Sequence, residues 1–156
     1  MSPEDHMRRA IALSLEMMRS GKGGPFGAVV VQAGKIIAEG FNQVTSNFDP
    51  TAHAEVVAIR SACQRLQTFD LTGCEIYTSC EPCPMCLSAI YWARLERIYF
   101  ANSRQDAAAI GFRDDFLYRE IPLPLDRRAI PTLPLLRAEG QAAFAEWDLK
   151  PDKVQY

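Results

Sequence analysis

The chain has 156 residues, 48 % of them hydrophobic and 23 % charged, the balance of a globular protein with room for one proper core. Its net charge of −2 and pI near 5.7 give no electrostatic footprint for a polyanion, so a small or neutral partner is expected and nucleic acid is not. No apolar run approaches the ~20 residues of a membrane span, and the polar, acidic start Met1-Ser2-Pro3-Glu4-Asp5 lacks a signal peptide's basic-then-apolar order.

In chain order, Pro3-Glu4-Asp5 reads as a helix start, with acids favoured by the helix dipole. Met7, Ile11, Leu15 and Met18 recur at near-helical spacing, which predicts an amphipathic helix over 3–20 with that stripe in the core. His6 is expected at the surface. Gly21-Lys22-Gly23-Gly24-Pro25 breaks the helix. Without GxxxxGK[ST] or a preceding strand it is a tight turn rather than a phosphate cradle. Phe26 is, by position, either core or a base-stacking wall. Gly27 to Val31 and Ile36 to Glu39 form a hairpin around Ala33-Gly34-Lys35.

Asn42 to Pro50 is a polar loop. The Asn42 amide donates and accepts at once and could read a heterocycle's edge, although most loop asparagines bond only the local backbone. A helix over roughly 52–66 turns Val56, Val57, Ile59 and Leu66 inward and carries His53 and Glu55 in its first turn. Glu75 to Ser79 reads as a strand and Cys83 to Trp92 as the next helix, whose start Pro82 and Pro84 suit. Arg97 to Ala101 is a strand after a helix, so a parallel crossover is expected. Residues 104–120 hold a short Ala-rich helix, then Gly111-Phe112-Arg113-Asp114-Asp115-Phe116. Two adjacent acids there are too few for a magnesium site, and a solvated helix cap is the simpler reading. Pro122, Pro124, Pro131 and Pro134 mark an irregular stretch, with a last strand near 132–136 and a last helix near 139–147. The tail 150–156 is disordered by composition. The pattern predicts one domain over 1–156 with an α/β fold. It is a three-layer α-β-α sandwich around a mixed sheet of five strands.

The chemistry gathers between Thr51 and Cys86. His53, Cys83 and Cys86 are an imidazole and two thiolates fit for zinc, and three ligands leave a position open for water, as in catalytic rather than structural sites. A thiol at a helix start has a lowered pKa, which favours metal binding. Glu55, two residues after the histidine, is placed to move protons to and from that water. CxxC alone also serves redox and structural-zinc sites. Together, His53-x-Glu55 and Pro82-Cys83-x-x-Cys86 make the signature of zinc nucleobase deaminases. The competing reading is a zinc-stabilised scaffold protein. It needs a fourth protein ligand, for which Cys80 is the candidate, and gives Glu55 no role. Cys63 and Cys74 read as ordinary semi-buried thiols. Five cysteines, an odd number, suit a reducing compartment, with cytoplasm the default.

These residues resemble the cytidine and deoxycytidylate deaminase superfamily, and within it the bacterial guanine deaminases. The likeness runs through Gly23-Gly24-Pro25-Phe26-Gly27-Ala28, Asn42, Asp49 to Glu55, Tyr77 to Cys86, Ala89 to Arg94, Ile110-Gly111-Phe112 and Tyr156. The resemblance implies zinc on His53, Cys83 and Cys86, with Glu55 as proton shuttle. It implies that Asn42, the Ala54 backbone and Asp114 read the purine edge, that Phe26 and Trp92 are apolar walls, and that Tyr156 closes the pocket. It also implies a homodimer that exchanges the C-terminal segment from about 132 to 156, so that Asp114 and Tyr156 can serve the partner's site. Guanine hydrolysis to xanthine and ammonia is the implied reaction, with a tRNA adenosine deaminase or a cytosine deaminase as the alternative. Arg113 departs from the family pattern, where an acid is expected.

Overall fold

A computed structural model describes all residues from Met1 to Tyr156. They form two compact units, Met1–Leu117 and Tyr118–Tyr156. The first unit holds α1 (Pro3–Arg19), β1 (Gly27–Gln32), β2 (Lys35–Phe41), a short α2 (Val44–Asn47), α3 (Ala54–Leu66), β3 (Cys74–Cys80), α4 (Pro84–Trp92), β4 (Arg97–Asn102) and α5 (Arg104–Ala109). A further helix, α6 (Asp114–Glu120), begins at its end, and the second unit contains α7 (Arg137–Leu149).

The sheet has the order β2-β1-β3-β4. β1 is antiparallel to both β2 and β3, and β3 is parallel to β4, with α4 as the crossover. Ala33 and Gly34, both at positive φ, make the two-residue turn of the β1–β2 hairpin. Because successive side chains of a strand face opposite ways, the run Ala28-Val29-Val30-Val31 feeds two cores. Ala28 and Val30 join Ala54, Ala58, Ile76 and Ile90 under α3 and α4. Val29 and Val31 join Ala10, Leu13 and Tyr77 under α1. The three layers of the expected sandwich are present.

Two glycines set how closely the layers approach. A Cβ on Gly40 would lie 2.2 Å from the Ala54 carbonyl oxygen and 2.6 Å from the Ala58 nitrogen, so β2 touches the backbone of α3. A Cβ on Gly27 would lie 2.3 Å from the Ala10 carbonyl oxygen, so β1 touches α1 on the opposite face.

Three expectations are corrected here. The sheet has four strands, not five: 132–136 form no strand. Pro131 and Pro134 lack the N–H groups a ladder needs, and the alternation of Leu133 and Leu135 leaves both about 85 % exposed in this chain. The buried face of α1 is His6, Ala10, Leu13 and Ser14, whereas Ile11, Leu15 and Met18 are partly exposed. His6 is therefore not a surface residue. It is 2 % exposed, with its ring 5.2 Å from that of Tyr77 and its Nδ1 without a hydrogen-bond partner.

Candidate metal and purine site

Two helix starts converge on the site. His53 is the N-cap of α3, and Cys83 is the N-cap of α4, with Pro84 as its first residue and Cys86 in its first turn. Proline suits that first position because no intrahelical acceptor exists there for the missing N–H. His53 Nδ1 lies 3.6 Å from Cys83 Sγ and 3.5 Å from Cys86 Sγ. One ligand atom from each of the three residues falls within 4.8 Å of the others. Zinc bonds of about 2.3 Å to sulfur and 2.0–2.1 Å to nitrogen, at tetrahedral angles, set a nitrogen–sulfur edge of about 3.6 Å. The donor set and its spacing fit that ion.

The electrostatics agree. The Cys83 thiol is held down to about 4 by the hydrogen bond from the Cys86 thiol, with His53 adding to the effect. Cys86 is pushed up by sharing its proton with Cys83 and by burial. The hydrogen bond to Cys83 raises His53, against the opposing pull of burial. A divalent cation takes the place of such shared protons.

Glu55 is buried, and burial pushes its carboxyl above the ordinary range; the nearby Cys83 charge acts in the same direction. It shares a cleft of about 300 Å³ with His53 and Cys83. Phe26 and Phe112 wall the cleft, meeting edge to face at 4.7 Å and 83°. Asn42 lines it too, and its Oδ1 accepts from the backbone N–H of Gly24 at 3.4 Å and of Val44 at 3.2 Å. That orientation reserves the amide NH2 for any outside acceptor. Asp114 is another lining group, raised first by desolvation and then by the Cys83 charge. Ala54 packs against β2 through its backbone, and as the first residue of α3 its N–H has no intrahelical acceptor.

One expected residue lies elsewhere. Trp92 is 67 % exposed and lines a separate shallow depression with Leu87, Ser88 and Tyr91. The inward face of α4 is Pro84, Cys86 and Ile90, and Trp92 falls off that face. Tyr156 belongs to the second unit, 72 % exposed. Phe112 and Glu81 are among the lining residues that the sequence does not assign to the site. Phe112 is the second aromatic wall of this cleft, and its place two residues before Asp114 is the signal in the sequence. Glu81, directly after β3, had no signal of its own beyond adjacency to Pro82-Cys83. Arg113 is not a cleft residue: its guanidinium sits 5.4 Å above the Phe116 ring. Cys80 lines the cleft but stands outside the ligand triangle, with its Sγ 3.7 Å from the Ser103 carbonyl oxygen. Burial pushes that thiol up to about 12.

A layered mixed sheet with a His/Cys/Cys triangle and a buried glutamate at its edge defines a zinc deaminase site. Residues 1–102 match the sequence model described as the cytidine and deoxycytidylate deaminase zinc-binding region, and the chain belongs to that family. The guanine deaminase of Bacillus subtilis (strain 168) is 49 % identical over 156 residues, all of both chains. The X-ray structure of guanine deaminase from Bacillus subtilis superposes with a TM-score of 0.97 at 49 % identity, covering 100 % of this chain and 99 % of that one. A tRNA-specific adenosine deaminase of Aquifex aeolicus (strain VF5) is 48 % identical over 77 residues, 49 % of this chain and 51 % of that protein.

Proposed function

We propose that this chain hydrolyses guanine to xanthine and ammonia, with zinc held by His53, Cys83 and Cys86. The observation that carries the reading is the buried Glu55 carboxyl beside the ligand triangle, inside a cleft walled by two aromatic rings. The full-length likeness to a guanine deaminase supports guanine over other bases.

When bound, zinc supplies Lewis acidity that lets a water molecule lose a proton near neutral pH. Glu55 takes that proton, and its raised pKa makes it the stronger base for that transfer. It delivers the proton to purine N3 as the water oxygen bonds C2. The hydroxyl now on C2 then gives its remaining proton to the same carboxylate, which passes it to the 2-amino nitrogen. The C2–N bond then breaks, ammonia leaves and xanthine remains. Phe26 and Phe112 hold the ring and exclude water. The Asn42 amide NH2 faces an acceptor such as O6 or N7, and the Ala54 N–H offers a second donor. Asp114 accepts from the purine N1–H and amino edge. Adenine places a lone pair at N1, which leaves Asp114 facing an acceptor, a costly mismatch.

A small purine base is the partner this arrangement suits, and the weak net negative charge argues against a polyanion. The five cysteines, all unpaired, are what a reducing cytoplasm maintains. We also place the chain in a homodimer, as one domain with the segment from about 132 exchanged and Tyr156 serving a neighbouring copy. The exposure of Leu133, Leu135, Phe144 and Leu149 supports that arrangement. Light scattering that finds only monomer would remove it.

The deciding experiment incubates zinc-loaded protein with guanine, adenine, cytosine and cytidine separately and measures ammonia. Guanine alone should turn over, and a chelator should stop it. Release from another base would keep the proton chemistry and overturn the roles given to Asn42 and Asp114. Silence on all four would favour a tRNA substrate, to which the Aquifex relative lends weight, or a scaffold.

A further inference from the structure

Phe112 and Asp114 line the cleft, yet little apolar packing holds their segment to the sheet: α5 buries only Ala107, and α6 buries nothing fully. What ties the segment down is polar. The ends of β3 and β4 are laced together by the Glu81 N–H donating to the Asn102 carbonyl oxygen at 2.7 Å and by Asn102 Nδ2 donating to the Ser79 carbonyl oxygen at 3.0 Å. One side chain completes the lacing. Glu81 Oε2 accepts from the Arg104 backbone N–H at 2.8 Å, and its Oε1 lies 3.9 Å from Arg104 Nε.

The Arg104 N–H belongs to the first residue of α5 and has no acceptor within its own helix. A carboxylate on such a group makes a charge-assisted bond, stronger than a neutral one. Glu81 is also two residues from Cys83, so the bond runs from the cysteine motif straight to the helix that precedes Phe112 and Asp114.

We infer that Glu81 is a positioning residue for substrate recognition: its carboxylate fixes the start of α5, and through it the places of Phe112 and Asp114 in the cleft. This rests on the guanine reading and deepens it. Glu81 is given no proton to move. Its loss acts on binding and base selection, and leaves metal binding and the Glu55 chemistry intact.

The test uses four single variants and one double variant, all full-length and zinc-loaded. Glu81→Ala removes the acceptor, and Glu81→Gln keeps a carbonyl oxygen that can accept the same N–H. Arg104→Pro deletes the donor from the other side. Proline is tolerated at a first helical position, and Ser103 before it already has the extended backbone that proline requires. Arg104→Ala removes the guanidinium and keeps the N–H. Expected for Glu81→Ala and Arg104→Pro are a KM for guanine raised about tenfold, weaker discrimination against adenine, and kcat within about threefold of the parent. Glu81→Gln and Arg104→Ala should stay near the parent, and the double variant Glu81→Ala/Arg104→Pro should add nothing to either single change.

Backbone hydrogen exchange across 103–116 is read on the same samples. It should quicken in Glu81→Ala and Arg104→Pro only, with zinc content unchanged. This readout stands whether or not guanine proves to be the substrate, so failure of the substrate reading and failure of the tether are distinguishable. An unchanged KM and exchange rate in Glu81→Ala would overturn the inference. So would Glu81→Gln behaving like Glu81→Ala, or loss of zinc from either. If Glu81→Ala fails to fold, Arg104→Pro against Arg104→Ala decides alone.

Discussion

Glu55 is pulled two ways. It sits in the first turn of α3, where its own backbone N–H stabilises the charged carboxylate, and it is buried, which favours the neutral acid; burial is the larger effect. A carboxyl raised by burial is a stronger proton acceptor than a surface glutamate, which suits the first proton transfer. Glu55→Gln keeps the shape and loses that capacity. It should retain a full complement of zinc by elemental analysis while guanine turnover falls by a factor of at least about 10³. Near-normal turnover would remove Glu55 from the chemistry.

Asp70 illustrates a residue whose charge serves the fold. Its Oδ1 accepts from the Thr72 N–H and hydroxyl at 2.9 and 2.6 Å, and its Oδ2 accepts from Arg94 at 2.7 Å. These bonds, those from Thr72 first, lower its pKa from 3.8 to about 2. A folded-state pKa below the unfolded one stabilises the fold above the unfolded value and is lost as pH falls through the folded one. The contribution is therefore complete above about pH 4 and fades toward about pH 2. Asp70→Asn should lower the urea midpoint at pH 7, with the gap to the parent narrowing as the pH is taken down through that window. A gap that stays constant would show that Asp70 acts through its shape and not its charge.

Among elements, the glycines in β1 and β2 separate stability from metal binding. Gly40→Ala drives a methyl group into the backbone of α3 at Ala54 and Ala58, next to His53 and Glu55. Gly27→Ala drives one into α1 at Ala10 and Ser14, an element with no part in the ligand triangle. Both should cost about 1–3 kcal/mol in urea unfolding, the usual penalty for overpacking. Only Gly40→Ala should also weaken zinc affinity in a chelator competition. Equal zinc affinity in the two would show that α3 shifts without carrying His53 with it.

The same scale explains what could be read from the letters alone. The metal triangle was legible because His53-x-Glu55 and Pro82-Cys83-x-x-Cys86 each mark a helix start, and a helix start fixes its neighbours within one turn. The four strands were legible from short β-branched runs between turn residues. The buried face of α1 was not: Met7, Ile11, Leu15 and Met18 carry the stronger apolar signal, yet the sheet admits the smaller Ala10 and Ser14, because Gly27 brings α1 so close. Trp92 and Phe112 show the same limit. The family resemblance marks Trp92 as a wall and leaves Phe112 without a role, and only the path from β4 to α6 puts Phe112 against Phe26. The fifth strand failed on a count of N–H donors that Pro131 and Pro134 cannot supply.

For the whole molecule, the metal joins what the sequence separates. His53 precedes α3 and the two cysteines open α4, two helices that cover the same face of the sheet over one core. An ion bound to all three ligands favours only the folded chain, since the unfolded one does not hold them together. The gain grows as RT ln(1 + [Zn]/Kd), about 2.7 kcal/mol at a hundredfold excess over Kd. In a chain of this size each kcal/mol moves Tm by about 2–4 °C, so chelation should lower Tm by about 5–10 °C. Readdition of zinc, and not of magnesium, should restore it, because two thiolates and an imidazole suit the softer ion. Exchange should quicken in the first turns of α3 and α4 while α1 and the β1–β2 hairpin, which hold no ligand, keep their protection. A Tm indifferent to chelator would mean that the triangle holds no ion in the folded chain, and the assignment of Cys83 and Cys86 as ligands would fall with it.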